Sequence, residues 1–240
     1  MGLGAGLGHA GQLYRPGEHP LHRAGGTAGR PARSRRPAAH GRNRRGNGRL
    51  PPRPRCRWQP GGLRMTLTPA PVLQTERLIL RGPDRHDAEP IVAFLMDETR
   101  AAGFGHIPER GAAWRWFALL IGHWHIHGYG YFVIETKQTG AQAGICGVWN
   151  PETWPEPELG WVVFDGFEGQ GIAFEAATRA RTHAYRDVGL PTLTSNIVPG
   201  NTRSQALARR LGCTYERTYH NTNMGPDELW RHPGPEAVLA

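Results

Sequence analysis

The spacing of apolar residues along the chain predicts a domain in which strands and helices are mixed. Glu76–Arg81 alternates polar and apolar residues, as a half-buried strand does, and Gly82-Pro83 ends it. Two helices are then predicted, one over about 85–98 with Asp84 as its N-cap and one over about 110–126. Later strands are predicted over 129–137, 143–149, 159–164, 191–198, 215–220 and 228–231, and later helices over 172–188 and 201–211. This irregular order indicates an α+β fold rather than a repeated βαβ unit.

The basic charge of the chain is concentrated at its N-terminal end. The 240 residues include 28 Arg and one Lys, and the formal net charge is +9. Residues 1–64 contain 14 Arg, no Lys and one acid, Glu18, so their net charge is +13. Residues 65–240 contain 14 Arg, Lys137 and 19 acids, so their net charge is −4. A basic balance is typical of nucleic-acid partners, but here it belongs only to the first quarter of the chain.

Residues 1–64 also hold 14 Gly and 8 Pro but no Val, Ile or Phe. Such a segment lacks the apolar surface that offsets the entropy of ordering, so we expect a disordered arm, followed by one compact domain over 65–240. One interpretation of the arm is a nucleic-acid-binding tail, because Arg side chains neutralise phosphates. The other is a mis-assigned start, since Met65 opens an ordinary domain sequence and the residues before it have GC-rich codons. The residues leave both interpretations open.

Several classes of protein do not fit this composition. The sequence has no run of about 18 apolar residues, so we expect no membrane-spanning helix and no membrane partner. Its N-terminus lacks the apolar core of a secretory signal. The three cysteines, Cys56, Cys146 and Cys213, form no CxxC pair and cannot all pair with one another. These features favour a reducing, cytoplasmic location.

The segment from Glu158 to Ala177 carries the most informative signal of function. It is predicted to form a strand, a short glycine loop and then a helix. The first backbone N–H groups of a helix have no partners within the helix and carry a partial positive charge, so they bind phosphate. Gly169 and Gly171 allow the backbone to approach such a ligand closely. Ordinary strand–helix connections contain similar loops, so the loop alone leaves both interpretations open.

This segment resembles the acyl-CoA-binding motif of the GNAT acetyltransferase superfamily, whose consensus is Arg/Gln-x-x-Gly-x-Gly/Ala. Further along, Pro199–Cys213 resembles the family's second motif, in which an Asn-x-x-Ser helix start leads to a terminal Leu-Gly. Thr75–Arg81 resembles the first strand of the branch that includes ribosomal-protein N-terminal acetyltransferases. The resemblance covers nearly all of residues 72–233, and three motifs in this order are far more specific than one.

The resemblance implies a fold and a co-substrate. Related proteins have a splayed, mostly antiparallel mixed sheet flanked by helices, and acetyl-CoA lies in the splay without a metal. On that analogy the amides of Gln170–Ala173 hold the pyrophosphate, and backbone groups of Trp161–Val163 pair with the pantetheine arm and polarise the thioester carbonyl. The residues that the resemblance assigns to acetyl-CoA are Trp161, Val162, Val163, Gly169, Gln170, Gly171, Ile172, Ala173, Asn201 and Ser204.

The reaction that the resemblance implies is direct attack of a neutral amine on the thioester. Amines are mostly protonated at neutral pH, so a base must remove a proton. Glu158, on the strand that lines the splay, is the leading candidate for the base; otherwise it faces solvent or pairs with an Arg. Ser204 is the candidate that protonates the leaving thiolate; otherwise it only occupies the first turn of a helix capped by Asn201.

Three positions depart from the family pattern. Glu168 stands where Arg or Gln is usual, and a carboxylate there would repel the pyrophosphate unless the side chain turns outward. Ala208 stands where many members carry a tyrosine that acts as an acid. Cys213 replaces the usual phenylalanine and is expected to pack in the core.

His123, His125 and His127 suggest a metal site, because histidine is a common metal ligand. We expect them at the end of a helix, where a spacing of two directs side chains to different faces, so no metal is predicted. Six tryptophans are expected either in the core or in the wall of an acceptor pocket: Trp114, Trp116, Trp124, Trp149, Trp154 and Trp161.

Two functions follow from these patterns. The first is an acetyl-CoA-dependent N-acetyltransferase, a monomer or homodimer, that acts on the primary amine of a protein N-terminus or of a small molecule. The net charge of −4 over residues 65–240 favours a cationic acceptor. The alternative is a nucleic-acid-associated acyl-CoA-binding protein with little turnover, in which the basic arm provides affinity. That alternative rests on the arm and on Glu168.

Overall fold

A computed structural model describes residues 69–222 and 224–240 of the chain. The arm expected over 1–64 lies outside the described residues. The strands are Leu73–Gln74 (β1), Leu78–Arg81 (β2), Tyr131–Thr136 (β3), Gln142–Trp149 (β4), Glu158–Val163 (β5), Thr194–Ile197 (β6), Thr214–Asn221 (β7) and Gly225–Arg231 (β8). The helices are Ala88–Met96 (α1), Glu98–Ala101 (α2), Arg110–His127 (α3), Ile172–Arg186 (α4), Thr202–Arg210 (α5) and Pro235–Leu239 (α6).

The described strands form one sheet in the order β1-β2-β3-β4-β5-β6-β8-β7. Neighbouring strands are antiparallel except β5 and β6, which are parallel. β5 and β6 pair at one position, where Glu158 lies opposite Thr194, and they are not paired beyond it. The splayed, mostly antiparallel mixed sheet that the family resemblance implied is therefore confirmed.

Apolar layers cover both faces of this sheet because residues along each strand alternate between the faces. On one face, the alanines of α4, such as Ala176 and Ala180, let the helix lie close to strand residues such as Leu159. On the other face, α1 and α3 pack against residues that include Val162. Burying each large aliphatic side chain contributes about 1.5–3 kcal/mol, so the two layers fix the positions of β5 and α4.

The single helix predicted over 85–98 is wrong. A 3₁₀ turn at Arg85–Asp87 precedes α1, and Asp97 separates α1 from α2. Asp84 is the N-cap as predicted, since its side chain accepts a hydrogen bond from the His86 N–H at 2.7 Å. Asp97 adopts an extended conformation and its carboxylate caps the first turn of α2. Ending α1 at this aspartate brings α2 to the mouth of the groove described below.

Two shorter elements were not predicted from the pattern. β1 forms a separate strand because a turn at Thr75, whose Oγ1 accepts from the Leu78 N–H at 2.9 Å, precedes β2. α6 follows β8 near the end of the chain. Within the described residues, no helix combines the length and the apolar character needed to cross a membrane.

Candidate active site

The sheet opens into a gap between β5 and β6, and one edge of β5 lines this gap. The Phe164 N–H donates to the Ala143 carbonyl at 2.8 Å, and β4 and β5 are in antiparallel register. Because hydrogen-bonding positions alternate along an antiparallel pair, Val162 bonds to β4, whereas Trp161 and Val163 direct their backbone groups towards the gap. The backbone groups of Trp161 and the Val163 N–H are therefore free to pair with an extended ligand, whereas the Val163 carbonyl accepts from Arg100 at 3.3 Å. The backbone groups of Val162 are not free, because they pair with β4, so its expected backbone contact with the ligand is corrected; the residue still lines the groove.

A groove with a volume of about 1160 Å³ follows the gap. Its walls include Phe94 and Phe104 from the α1–α3 face of the sheet, and Phe174 and Leu207 from the α4–α5 face. The groove therefore passes from one face of the sheet to the other. The sequence-predicted residues that line it are Trp161, Val162, Val163, Gly169, Gly171, Ile172, Ala173, Asn201 and Ser204.

The glycine loop brings the start of α4 to the groove. Gly169 and Gly171 have φ angles of 75° and 78°, which residues with side chains rarely adopt. Gly171 is the N-cap of α4, and no side chain caps the first turn of this 15-residue helix. The first N–H groups of α4 are therefore available to an anionic ligand such as a pyrophosphate.

Gln170 does not line the groove, although the sequence placed it among the cofactor contacts. Its side-chain amide donates to the Gly166 carbonyl at 2.8 Å, and its own carbonyl accepts from Arg77 Nη1 at 3.0 Å. These bonds hold the shape of the glycine loop. They involve the side chain and the carbonyl of Gln170 but not its backbone N–H, so the predicted contact of this N–H with the pyrophosphate stays a prediction.

Glu168 is paired with a cation that the sequence did not reveal. Arg100 of α2 forms ion pairs with Glu168 at 2.5 Å and with Asp165 at 2.8 Å, and it also donates to the Val163 carbonyl at 3.3 Å. Partial burial tends to raise the pKa of Glu168, but the hydrogen bond and charge of Arg100 outweigh it and lower that pKa. The repulsion expected between Glu168 and a pyrophosphate is therefore offset by Arg100, which lines the same groove.

The second motif forms the opposite wall of the groove. Asn201 caps α5, as predicted, because its Oδ1 accepts from the Ser204 N–H at 3.1 Å. A Cβ atom on Gly103 would lie 2.4 Å from Asn201 Nδ2, so the segment after α2 packs directly against this cap. Ser204 Oγ accepts from Trp161 Nε1 at 3.4 Å and also faces the groove. Ser204 thus both occupies the first turn of the helix and borders the ligand space.

Glu158 lies at the position where the gap begins, and it is 9% exposed. Its Oε2 accepts from Trp154 Nε1 at 2.6 Å and from Asn196 Nδ2. Burial raises its pKa to about 7, while these hydrogen bonds lower it and the nearby Asp227 raises it. Glu158 neither faces solvent nor pairs with an arginine, so the structure shows neither of the two alternative roles considered for this residue.

The histidine cluster lies at the end of α3, as predicted. His123 uses both ring nitrogens within the protein, one with the Tyr129 carbonyl at 2.8 Å and the other with the Asn150 N–H at 3.0 Å. Burial lowers its pKa to about 4, so it is neutral at ordinary pH. Within residues 69–222 and 224–240, no group of three potential ligands is arranged to hold a metal ion.

The model of the acetyltransferase (GNAT) domain matches residues 77–214 of the chain. The chain belongs to the GNAT acetyltransferase family. An acetyltransferase from Agrobacterium tumefaciens is 33% identical, with a TM-score of 0.61 over 68% of this chain and 94% of that one. A putative ribosomal-protein-serine acetyltransferase from Vibrio cholerae is 22% identical, with a TM-score of 0.56 over 69% and 99%. A ribosomal L7/L12 α-N-protein acetyltransferase in complex with coenzyme A is 17% identical, with a TM-score of 0.57 over 69% and 99%.

The two neighbours below 25% identity share the fold, while the family match confirms the resemblance read from the motifs. As a GNAT acetyltransferase, the protein uses acetyl-CoA as its co-substrate. The groove fits this molecule because it combines an uncapped helix start with a strand edge that has free backbone groups at Trp161. These two features would hold a pyrophosphate and an extended amide chain, respectively.

The GNAT motifs did not point to several residues that surround Glu158. Tyr131 of β3 is 1% exposed, and its ring contacts Trp149 and Phe104 at centroid distances of 5.8 and 6.0 Å. Asp227 of β8 is 3% exposed, and burial raises its pKa to about 6 against a hydrogen bond from Asn221. A sequence signal for these residues is weak, because they come from strands distant from both motifs and meet only in the folded sheet.

Proposed function

We propose that the enzyme transfers the acetyl group of acetyl-CoA directly to a primary amine, with Glu158 as the base. The observation that carries this proposal is the position of Glu158. Its buried carboxylate stands where β5 and β6 part. Along β5 the groove is lined from Trp161 onwards, so Glu158 itself is not a lining residue and stands three positions before the start of the lining. Thr194, the residue opposite Glu158, has no ionisable side chain, so it offers no competing base.

The proposed binding mode follows the free polar groups. The first N–H groups of α4 bind the pyrophosphate, and the gap-facing backbone groups of Trp161 and Val163 pair with the pantetheine arm. The parallel pairing of Glu158 with Thr194 directs the Leu159 N–H to β6, and the Leu159 carbonyl accepts from Ser195 Oγ at 2.6 Å, so Trp161 supplies the first free N–H beyond Glu158. This N–H is placed to polarise the thioester carbonyl. Asn201 and Ser204 border the arm near its sulfur.

Glu158 has the protonation behaviour that a base requires. An acceptor amine arrives mostly as an ammonium ion and must lose a proton before or during its attack. A base works best when its pKa lies near the working pH, and burial raises the pKa of Glu158 to about 7. Trp154 and Asn196 donate to the carboxylate through their side chains, and Asn196 also donates through its backbone N–H, so the carboxylate is held in a fixed orientation.

The surroundings of Glu158 favour a cationic acceptor. Residues 65–240 have a net charge of −4, and Glu158 lies beside a second buried carboxylate, Asp227. The aromatic side chains on the same face as Glu158 would hold the carbon skeleton of the acceptor or stack against its positive charge. Protein N-termini and small cationic amines both belong to this class of acceptor.

The alternative of a nucleic-acid-associated acyl-CoA-binding protein has less support. It rested on Glu168, whose carboxylate is paired with Arg100, and on the arm, which lies outside the described residues. It stays a prediction for the full-length chain. Steep loss of RNA binding with rising salt would support it, and RNA binding that is absent at low salt would contradict it.

The proposed function is tested by a screen of amines for consumption of acetyl-CoA. The panel contains peptides with free N-termini, including those of ribosomal proteins, and small polyamines and aminoglycosides. We expect one acceptor class to release free CoA and to gain an acetyl group, and we expect Glu158→Gln to slow this reaction strongly while acetyl-CoA affinity is kept. Binding of acetyl-CoA without consumption by any amine would contradict the proposal, and so would wild-type turnover by Glu158→Gln.

A further inference from the structure

Tyr131 places its hydroxyl group over the centre of β5. Tyr131 of β3 lies opposite Gly147 of β4, which in turn lies opposite Gly160 of β5. These three residues form one row across the sheet, and the two glycines leave room for the tyrosine ring to extend across two strands. A Cβ atom on Gly160 would lie 1.8 Å from Tyr131 Oη. The hydroxyl therefore occupies the place that a side chain at position 160 would otherwise fill.

This position lies between two groups that the proposed reaction uses. Glu158 and Gly160 point to the same face of β5, and Trp161 follows Gly160 with its backbone groups in the gap. Burial and the charge of Glu158 both raise the pKa of Tyr131 well above its usual value, so the hydroxyl keeps its proton at ordinary pH. Tyr131 is 1% exposed, and no hydrogen bond within the described residues holds its hydroxyl, so the hydroxyl is available to a ligand that enters the gap.

Neither of the other candidate acids matches this placement. Ala208, at the position where relatives carry a tyrosine, has no hydroxyl and is fully buried. Ser204 contacts the indole of Trp161, whose side chain points to the opposite face of β5 from Glu158.

We propose that Tyr131 is a catalytic residue that donates the proton taken by the departing sulfur of CoA. The inference rests on the proposed function, and it replaces the expectation that Ser204 supplies this proton. Ser204 keeps its place beside the cofactor arm.

The proton balance closes between Glu158 and Tyr131. An acceptor that arrives as an ammonium ion first loses one proton to solvent. The neutral amine nitrogen then forms a bond to the thioester carbon and gives a second proton to the Glu158 carboxylate. The carbon–sulfur bond then breaks, its electron pair stays on sulfur, and the Tyr131 hydroxyl gives that sulfur a proton. Glu158, now a carboxylic acid, returns its proton to the Tyr131 oxygen. The products are one amide and one free thiol, and both side chains regain their starting protonation states.

The test is Tyr131→Phe, which removes one oxygen atom and keeps the ring contacts with Trp149 and Phe104. With an amine that the wild type acetylates, we expect kcat to fall by roughly 10²–10⁴, the usual contribution of acid–base catalysis. The Kd for acetyl-CoA, measured by calorimetry, should change less than about threefold, and the Tm should not fall, because no hydrogen bond is lost. Tyr185→Phe is the matched control, since it loses a real hydrogen bond to the Pro233 carbonyl and should keep kcat.

A second set of variants separates chemistry from packing. Fluorinated tyrosines incorporated at position 131 keep the hydroxyl and the shape of the ring but make the hydroxyl more acidic. We expect the single-turnover rate of acetyl transfer to change with their acidity. Three results would each overturn the inference. They are a wild-type kcat in Tyr131→Phe, a transfer rate that does not depend on fluorination, and a loss of kcat that is explained entirely by weaker acetyl-CoA binding. An inactive wild type would instead contradict the proposed function itself.

Discussion

Glu158→Gln is expected to make the enzyme more stable and less active at once. Glutamine has nearly the same shape as glutamate, and its carbonyl oxygen can accept the hydrogen bonds that Trp154 and Asn196 now donate to Oε2. The substitution therefore removes the charge and the ability to take a proton, while it keeps the packing. Turnover should fall by roughly 10²–10⁴, whereas the Kd for acetyl-CoA should stay nearly unchanged.

The size of the stability change follows from the pKa of Glu158. Burial raises this pKa from 4.5 to about 7, so the folded protein holds the proton more tightly than the unfolded chain does. Stability is then lost as pH rises from about 4.5 through about 7, and the loss is complete above that range. A shift of this size corresponds to ~3 kcal/mol at 1.36 kcal/mol per pKa unit. Glutamine does not titrate, so the variant avoids this loss.

Chemical denaturation of both proteins at several pH values measures this difference. At about pH 8, we expect the free energy of unfolding of Glu158→Gln to exceed that of the wild type by ~2–3 kcal/mol, and the difference should shrink towards zero near pH 4.5. Glu175→Gln is a matched control of opposite sign. Hydrogen bonds from Thr75 and Arg77 outweigh burial and lower the pKa of Glu175, so its loss should destabilise the protein at about pH 8. A stability difference that does not change with pH would refute the reasoning about Glu158.

Three further substitutions test other parts of the site. Arg100→Gln leaves the Glu168 carboxylate unpaired beside the cofactor groove. Calorimetry should therefore show roughly tenfold weaker acetyl-CoA binding, about 1.4 kcal/mol. Adding Glu168→Gln should restore the affinity, and a double variant that still binds weakly would contradict the proposed role of the ion pair. Asp227→Asn removes a neighbouring charge that raises the pKa of Glu158, so the acid limb of the pH profile of kcat/KM should move to lower pH. An acid limb at the wild-type pH would contradict the coupling between Asp227 and Glu158. Gly160→Ala places a Cβ 1.8 Å from the Tyr131 hydroxyl, so thermal denaturation should show a loss of stability of about 1–3 kcal/mol. The control Gly122→Ala lies in open space on α3 and should raise stability slightly. Equal effects of the two substitutions would contradict the close approach of Tyr131 to Gly160.

Much of the fold could be predicted because the sequence patterns that define it are local. The α4 segment carries its glycine loop and its alanines in one stretch, and α5 carries its cap at Asn201, so both helices lie close to where the pattern placed them. The division of the 85–98 region could not be predicted, because apolar spacing continues across it. The sequence is compatible with Asp97 as a residue within a helix or as an N-cap, and only the packing of α2 distinguishes the two.

The candidate site was predicted only as far as its two motifs reach. Gly169, Gly171, Asn201 and Ser204 line the groove as expected, because each lies within a contiguous motif. The partners of these residues come from distant parts of the chain: Arg100 meets Glu168 across 68 positions, and Tyr131 reaches β5 only through two strand pairings. Sheet register determines these contacts, and no local pattern encodes it. The backbone direction of Val162 was wrong for the same reason.

Transfer of a labelled acetyl group tests the central claim most directly. The full-length enzyme is mixed with acetyl-CoA labelled in its acetyl group and with each amine of the panel, and the masses of amine and protein are measured together with free CoA. Direct transfer predicts that labelled N-acetylated amine and free CoA form in equal amounts while the mass of the protein stays unchanged. An acetyl group that accumulates on the protein, or CoA released without acetylated amine, would contradict the account.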